Sequence, residues 1–116
     1  MKQYESGISG EELAEKFLCQ QGMALLARRF RGQGGEIDLI MQDGGCIVFV
    51  EVKYRPGSSS GSGLLAITPA KQKRIAFAAQ YYLIENKLTE CSARFDAVEI
   101  TRDGILHIPN AFSFHL

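Results

Sequence analysis

The run Cys46-Ile-Val-Phe-Val-Glu-Val-Lys-Tyr54 constrains the fold of this chain more than any other stretch. Its density of Val, Ile and Phe reads as a buried strand, yet it carries Glu51 and Lys53. An uncompensated charge taken out of water is very costly, so a sheet that accepts both must give them partners. Residues two apart in a strand share a face. Glu51 and Lys53 therefore project side by side, with Val50, Val52 and Tyr54 opposite. A similar run just upstream, Gly35-Glu-Ile-Asp-Leu-Ile-Met41, carries Asp38. Two acids and a lysine at the end of one sheet suggest a metal site built for phosphoester cleavage.

The two runs are separated by Gln42-Asp-Gly-Gly45, where Asp-Gly and Gly-Gly are both strong signals for a two-residue hairpin loop. With Asp43-Gly44 as the loop, Asp38 faces Phe49 and lies diagonal to Glu51. With Gly44-Gly45 as the loop, Asp38 faces Glu51 directly. Both registers make the two acids neighbours on one face, which is destabilising unless a cation or proton intervenes. A local conflict of this sort is expected at a functional site.

Ser9-Gly-Glu-Glu12 reads as a capping box for a helix over about 10–21, with Leu13, Ala14, Phe17 and Leu18 as its apolar stripe and Gly22 at its C-terminal cap. Met23 to Phe30 reads as a first strand and Arg31-Gly-Gln-Gly-Gly35 as a turn. Strands follow at about 35–42 and 45–55. The Gly/Ser-rich stretch 57–63 is a flexible loop, too short to divide domains, and its place after Lys53 makes it a candidate flap. Thr68-Pro69 opens a second helix that runs to about Lys87, with Ile75, Ala76, Ala79, Tyr82 and Leu83 facing the core. Ala93–Thr101 and a short Ile105–Ile108 complete an α-β-β-β-α-β-β order. The β-α-β unit in the middle predicts a right-handed crossover and a parallel pair. The fold class is thus α/β: one mixed central sheet flanked by helices, in a single domain over 1–116.

The chain has 116 residues, 46% of them apolar and 22% charged, ordinary values for one globular domain. No apolar run approaches the ~20 residues of a membrane span, and the first residues lack the apolar segment of a secretory signal. Three widely spaced cysteines, Cys19, Cys46 and Cys91, read as reduced core thiols of a cytoplasmic protein. Zinc is disfavoured, since the only histidines are His107 and His115, and both read as satisfied or solvated. Of Tyr81 and Tyr82, helical spacing puts one in the core and one outside, though an exposed ring could stack on a base. Phe112 and Phe114 read as anchors of the tail on the core or as cover for a partner. The formal net charge is zero, so bulk charge does not argue for nucleic acid. Its distribution says more: basic residues cluster at 28–31, 53–55 and 71–74, most simply as solvated faces, and they argue for nucleic acid only if all three surround the acidic site, with Arg29, Arg31, Arg55 and Lys71 as the candidates for contacts to a phosphate backbone.

Magnesium takes hard oxygen ligands and keeps several waters, so one or two carboxylates and a substrate phosphate suffice to hold it. Asp38 and Glu51 can supply those carboxylates, and Lys53 can orient a water or neutralise developing charge on phosphorus. The plain alternative is a sheet-face ion pair with a surface acid beside it.

Gly35-Glu-Ile-Asp-Leu-Ile40 followed by Phe49-Val-Glu-Val-Lys53 resembles the PD-(D/E)xK motif of the restriction-endonuclease-like superfamily, whose αβββαβ core has the same element order. More narrowly, the chain resembles the YraN-type family of small bacterial proteins, which is similar to archaeal Holliday-junction resolvases. Further matching stretches are Gly10-Glu11 through Ala14, Thr68-Pro-Ala-Lys-Gln72, Arg94-Phe-Asp96 and Pro109-Asn-Ala-Phe112. The resemblance implies a metal-dependent endonuclease acting on DNA, with branched or repair intermediates among its candidate substrates. In it Asp38, Glu51 and Lys53 are catalytic, and Asp38 and Glu51 bind Mg2+ or Mn2+. Glu11 is the helix acid that reaches the metal or its waters, and Lys71 and Gln72 are polar groups near the phosphate. A resolvase-like protein needs two active sites to cut two strands, which admits a homodimer. The superfamily also contains inactive members, so a nucleic-acid-binding module without hydrolysis, or a protein-interaction scaffold, stands as the alternative.

Overall fold

The computed structural model describes residues 9–59 and 67–114. Helix α1 spans Gly10–Gln20, strands β1, β2 and β3 span Ala24–Gly32, Gly35–Asp43 and Cys46–Arg55, helix α2 spans Pro69–Glu85, and strands β4 and β5 span Ser92–Thr101 and Gly104–Phe112. The element order is the expected one. Most of the candidate flap, and His115, lie outside the described residues.

Local chemistry sets the helix ends as the sequence implies. The Ser9 side chain accepts the Glu12 N–H, and the Glu12 carboxylate accepts the Ser9 N–H at 2.9 Å, which satisfies donors that the first turn leaves open. At the other end Gly22, at φ 100°, lets Met23 N–H reach back to the Leu18 carbonyl at 3.1 Å while its own N–H bonds Cys19, a left-handed cap. Helix α2 begins at Thr68, whose hydroxyl accepts the Lys71 N–H. It ends in the same cap geometry, but with Lys87, at φ 57°, in the position that favours glycine.

The five strands lie in sequence order, β1-β2-β3-β4-β5. Neighbours are antiparallel except β3 and β4, which run parallel on either side of α2 in the chain. The two helices pack on opposite faces. Ile37, Ile40, Ile47, Phe49 and Phe95 meet Ile75, Ala76, Ala79, Tyr82 and Leu83 of α2. Leu39, Met41, Val48, Val50, Val98 and Ile100 meet Ala14 and Leu18 of α1. Every second-helix residue expected in the core is there, and Phe112 and Phe114 pack against the α2-side core, so both do anchor the tail.

Two features depart from the expected pattern. Strand β5 runs past Pro109, where sequence reading ends it. It is an edge strand, and the buried Asp96 side chain accepts the Asn110 N–H at 3.0 Å in place of a ladder bond. The cysteines are free; Cys19 and Cys91 are exposed and are not core thiols, while half-buried Cys46 packs against the α1-side core. Cys19 is on the outer side of the last turn of α1 and Cys91 precedes β4, and neither place is covered by the second layer.

Candidate active site

The β2–β3 hairpin closes with Gly44–Gly45 as its loop, since Asp43 pairs with Cys46. Of the two registers open from sequence, this is the one that carries Asp38 toward Glu51. The ladder stops at Leu39–Val50. Beyond it β2 stays with β1 to the Gly32–Gly35 pair, and β3 stays with β4 to Arg55–Thr101. The sheet forks, and Asp38, Glu51 and Lys53 are the next side chains on either arm.

At the fork the Asp38 carboxylate takes over a ladder role: its Oδ2 accepts the Val52 N–H at 2.7 Å. Glu51 is only 5% exposed, and its Oε2 accepts from Lys53 Nζ at 3.2 Å and from Lys71 Nζ. Lys71 comes from the first turn of α2, so the helix places a second ammonium on the same carboxylate. Burial, followed by the nearby Glu51 charge, pushes the Asp38 carboxyl up to about 7, against the opposing pull of the Val52 N–H. Burial, with a hydrogen bond to Lys71, lowers Lys53. Lys71 is also desolvated, but its bonds to Glu51 and Lys53 outweigh this and raise it. The pocket thus favours a proton on Asp38 and a less basic Lys53, a division of protonation states typical of catalytic groups.

Glu11 reaches toward the fork from α1. Its charge adds to the upward shift of Asp38, but its Oε1 is held by Arg29 Nε at 2.8 Å. The backbone explains why Arg29 is there. Arg29 sits at φ 50°, a conformation rare for a residue with a side chain. It breaks strand alternation, so consecutive Arg28 and Arg29 both face α1, pairing with Glu15 and Glu11, and Phe30 drops into the core on the α2 side. Positive φ at a non-glycine residue is a form of strain that clusters at functional sites.

The remaining residues singled out in the sequence are more scattered. Arg31 is exposed, with Glu36 at 3.7 Å, and shares a cleft with Lys71. Arg55 is exposed at the end of β3. Gln72 donates its amide to the Ile67 carbonyl at 3.0 Å, securing the entry to α2. Sequence reading did not single out Glu99, which is 1% exposed and sits beside Lys53 in the β3–β4 register. Like Glu51, Glu99 is an acid inside an apolar strand, in Ala97-Val-Glu-Ile100, and that pattern is the signal that marks it. Among the described residues no three His, Cys, Asp or Glu side chains gather into a cluster that could by itself hold a metal ion. The Asp38–Glu51 pair supplies two carboxylates.

A family model described as "Uncharacterised protein family UPF0102" matches residues 10–100. A UPF0102 protein of Saccharophagus degradans is 45% identical over 98% of both chains. Another, of Trichlorobacter lovleyi, is 45% identical over 91% of this chain and 88% of its own, and one of Neisseria gonorrhoeae is 44% identical over 84% of each.

Proposed function

The chain belongs to the uncharacterised protein family UPF0102, and we propose that it is a metal-dependent endonuclease that hydrolyses phosphodiester bonds in DNA. The observation that carries this reading is the forked sheet end, where Asp38 and Glu51 are held together with one of them pushed up to about 7. Adjacent carboxylates that retain a proton form a site that a hard cation can enter by displacing it. The donor set fits such an ion: two carboxylates, with room in the coordination shell for water and phosphate. When bound, magnesium or manganese would supply positive charge to the phosphoryl oxygens and acidify a water.

The chain's own groups supply the rest. Asp38 is fixed in place by the Val52 N–H and Glu51 by two lysines. Lys53 sits beside Glu51 with its affinity for a proton reduced, so it can orient a water and pass a proton as well as balance charge. Lys71 lines the adjoining cleft and also bonds Glu51, so it can bridge the acids and an incoming phosphate. The start of α2, whose backbone favours anions, lies behind it. Glu11 would add negative charge at the fork, to the extent that Arg29 releases it.

The test is a cleavage assay over linear, flapped and branched DNA with manganese, beside Glu51→Gln, with metal binding followed by calorimetry. Cleavage and metal binding lost together in the variant are the expected outcome. Equal cleavage by wild type and variant would remove the site from the chemistry. A second reading, binding without hydrolysis, draws on the lack of a three-acid cluster among the described residues. It expects no cleavage with any metal, and DNA binding that survives Asp38→Ala.

A further inference from the structure

Next to the acid pair, a cleft of about 580 Å³ is lined by Arg31, Lys71 and Arg74, with Glu36 beside Arg31 and the backbone of Gly32, Gly34 and Gly35 as its floor. Gly32 and Gly35 are required by contact. A Cβ on Gly35 would stand 2.2 Å from the Arg74 carbonyl oxygen, and one on Gly32 would stand 2.6 Å from the Tyr81 ring. The β1–β2 turn therefore lies directly on α2. Across that turn a second hollow of about 290 Å³ opens, lined by Gln33, Phe77, Gln80, Tyr81 and Ile84. Its aromatic surface is firmly held: Tyr81 stacks at 6.1 Å on Phe30, and Phe77 meets Phe114 edge-on at 6.5 Å. Phe77 is 42% exposed and Ile84 55%, apolar surface that folding has left in water. The catalytic reading does not use this hollow.

We infer that the cationic cleft and the aromatic hollow together bind an unpaired strand of nucleic acid, phosphates along Arg31, Lys71 and Arg74 and a base against Phe77 and Tyr81. The inference rests on the nucleic-acid reading above and specifies its substrate: a strand single-stranded beside the cleaved bond, as at a flap or branch. Three observations favour this occupant over a second copy of the chain. The apolar hollow opens across the β1–β2 turn from a cleft whose three cations outnumber its one acid, a lining that matches a polyanion. Lys73 Nζ stands 5.7 Å from the Phe77 ring centroid, adding positive charge at the shelf itself. The Gln33 and Gln80 amides at the rim offer donors and acceptors to a base edge. A base inside a duplex has both faces covered by its neighbours, so a recessed aromatic surface is open only to an unstacked one. Backbone-tracking cations beside stacking rings form the usual design of a single-strand site.

The chain contains no tryptophan, so Phe77→Trp places its one tryptophan, excited at wavelengths where tyrosine does not absorb, at the proposed stack. Its emission should be quenched by a short oligodeoxythymidylate in EDTA and not by a duplex of equal length. In anisotropy titrations under the same conditions, Phe77→Ala should weaken single-strand binding roughly fivefold or more and leave duplex binding unchanged. Absence of quenching, or equal loss on both ligands, overturns the inference. So does a Phe77→Ala protein that keeps its single-strand affinity while sedimentation shows it has lost a dimer, since the hollow then joins two copies. No cleavage occurs in EDTA, so these results are independent of the hydrolytic reading: a chain that cuts duplex DNA but fails the quenching test loses only this inference.

Discussion

Two regions of this sheet bury charge, and they treat it in opposite ways. Between β4 and β5, Asp96 is fully buried and receives Arg94 Nε at 3.0 Å, His107 Nε2 at 2.7 Å and the Asn110 N–H at 3.0 Å, while Arg94 also reaches Asp43 at 3.1 Å. Its hydrogen bond to Asp96 raises Arg94 despite burial, so the guanidinium there keeps its charge. At the fork, Asp38 is driven up and Lys53 down, so burial there suppresses charge on both. Among the described residues no buried side-chain nitrogen or oxygen lacks a hydrogen-bond partner in either place. The difference is therefore not one of satisfied against unsatisfied groups. One cluster is finished as it stands, holding β5 on the sheet. The other is balanced by protons that an incoming cation could replace.

The sharpest way to break this contrast is to remove each acid in turn. Asp96→Ala should cost about 3–5 kcal/mol, because it strands charges arranged around a buried partner, as read by urea denaturation. Asp38→Asn should leave stability in place or increase it, since the amide oxygen can still accept the Val52 N–H and no buried charge remains, while cleavage falls roughly a hundredfold or more. Equal destabilisation by the two changes would make the fork a structural cluster like the other.

The pH dependence sharpens the same point. Between the ordinary 3.8 and about 7, the folded chain keeps a proton on Asp38 that the unfolded chain has released. Stability in EDTA should therefore fall as pH rises through that interval and level off above it, and the slope should shrink in Asp38→Asn. Metal binding should strengthen over the same range as the proton leaves. A flat wild-type profile would return Asp38 to the class of ordinary surface acids.

Smaller effects test the supports. Gly35→Ala forces a methyl into the Arg74 carbonyl and should cost about 1–3 kcal/mol by overpacking, with weaker binding of single strands because the cleft floor lifts from α2. The smallest change, Lys87→Gly, relieves a left-handed lysine at a helix cap. It should raise the melting temperature by a few degrees at most, for a gain of about 0.5–1 kcal/mol, and leave both charge clusters untouched. A shift in cleavage from this variant would show that the fork is coupled to the far end of α2.

The element order, both helix starts and the core face of α2 were legible because each rests on contacts within a few residues: the Ser9–Glu12 box, the Thr68–Pro69 start, the spacing of Ile75, Ala79 and Tyr82. The acid pair was legible for a related reason, since period-two alternation and a glycine hairpin leave only two registers, both of which make Asp38 and Glu51 neighbours. What could not be read needed partners distant in sequence. Lys71 was expected at a phosphate and is found on Glu51, because only the packing of α2 on the sheet brings that helix start to the fork. The pairing of Arg29 with Glu11 depends on one left-handed residue that reverses strand alternation, and nothing in Arg28-Arg-Phe30 announces it. Continuation of β5 beyond Pro109 required Asp96 to supply the missing acceptor from another strand.

The sequence by itself determined that charge would interrupt the apolar runs of β2 and β3, at Asp38, Glu51 and Lys53, because hydrophobic periodicity is a local property. Only the tertiary structure decided what state those charges take. Protonation depends on desolvation and on distances between groups from different elements, and these exist only once α2 has closed over the place where β2 and β3 part.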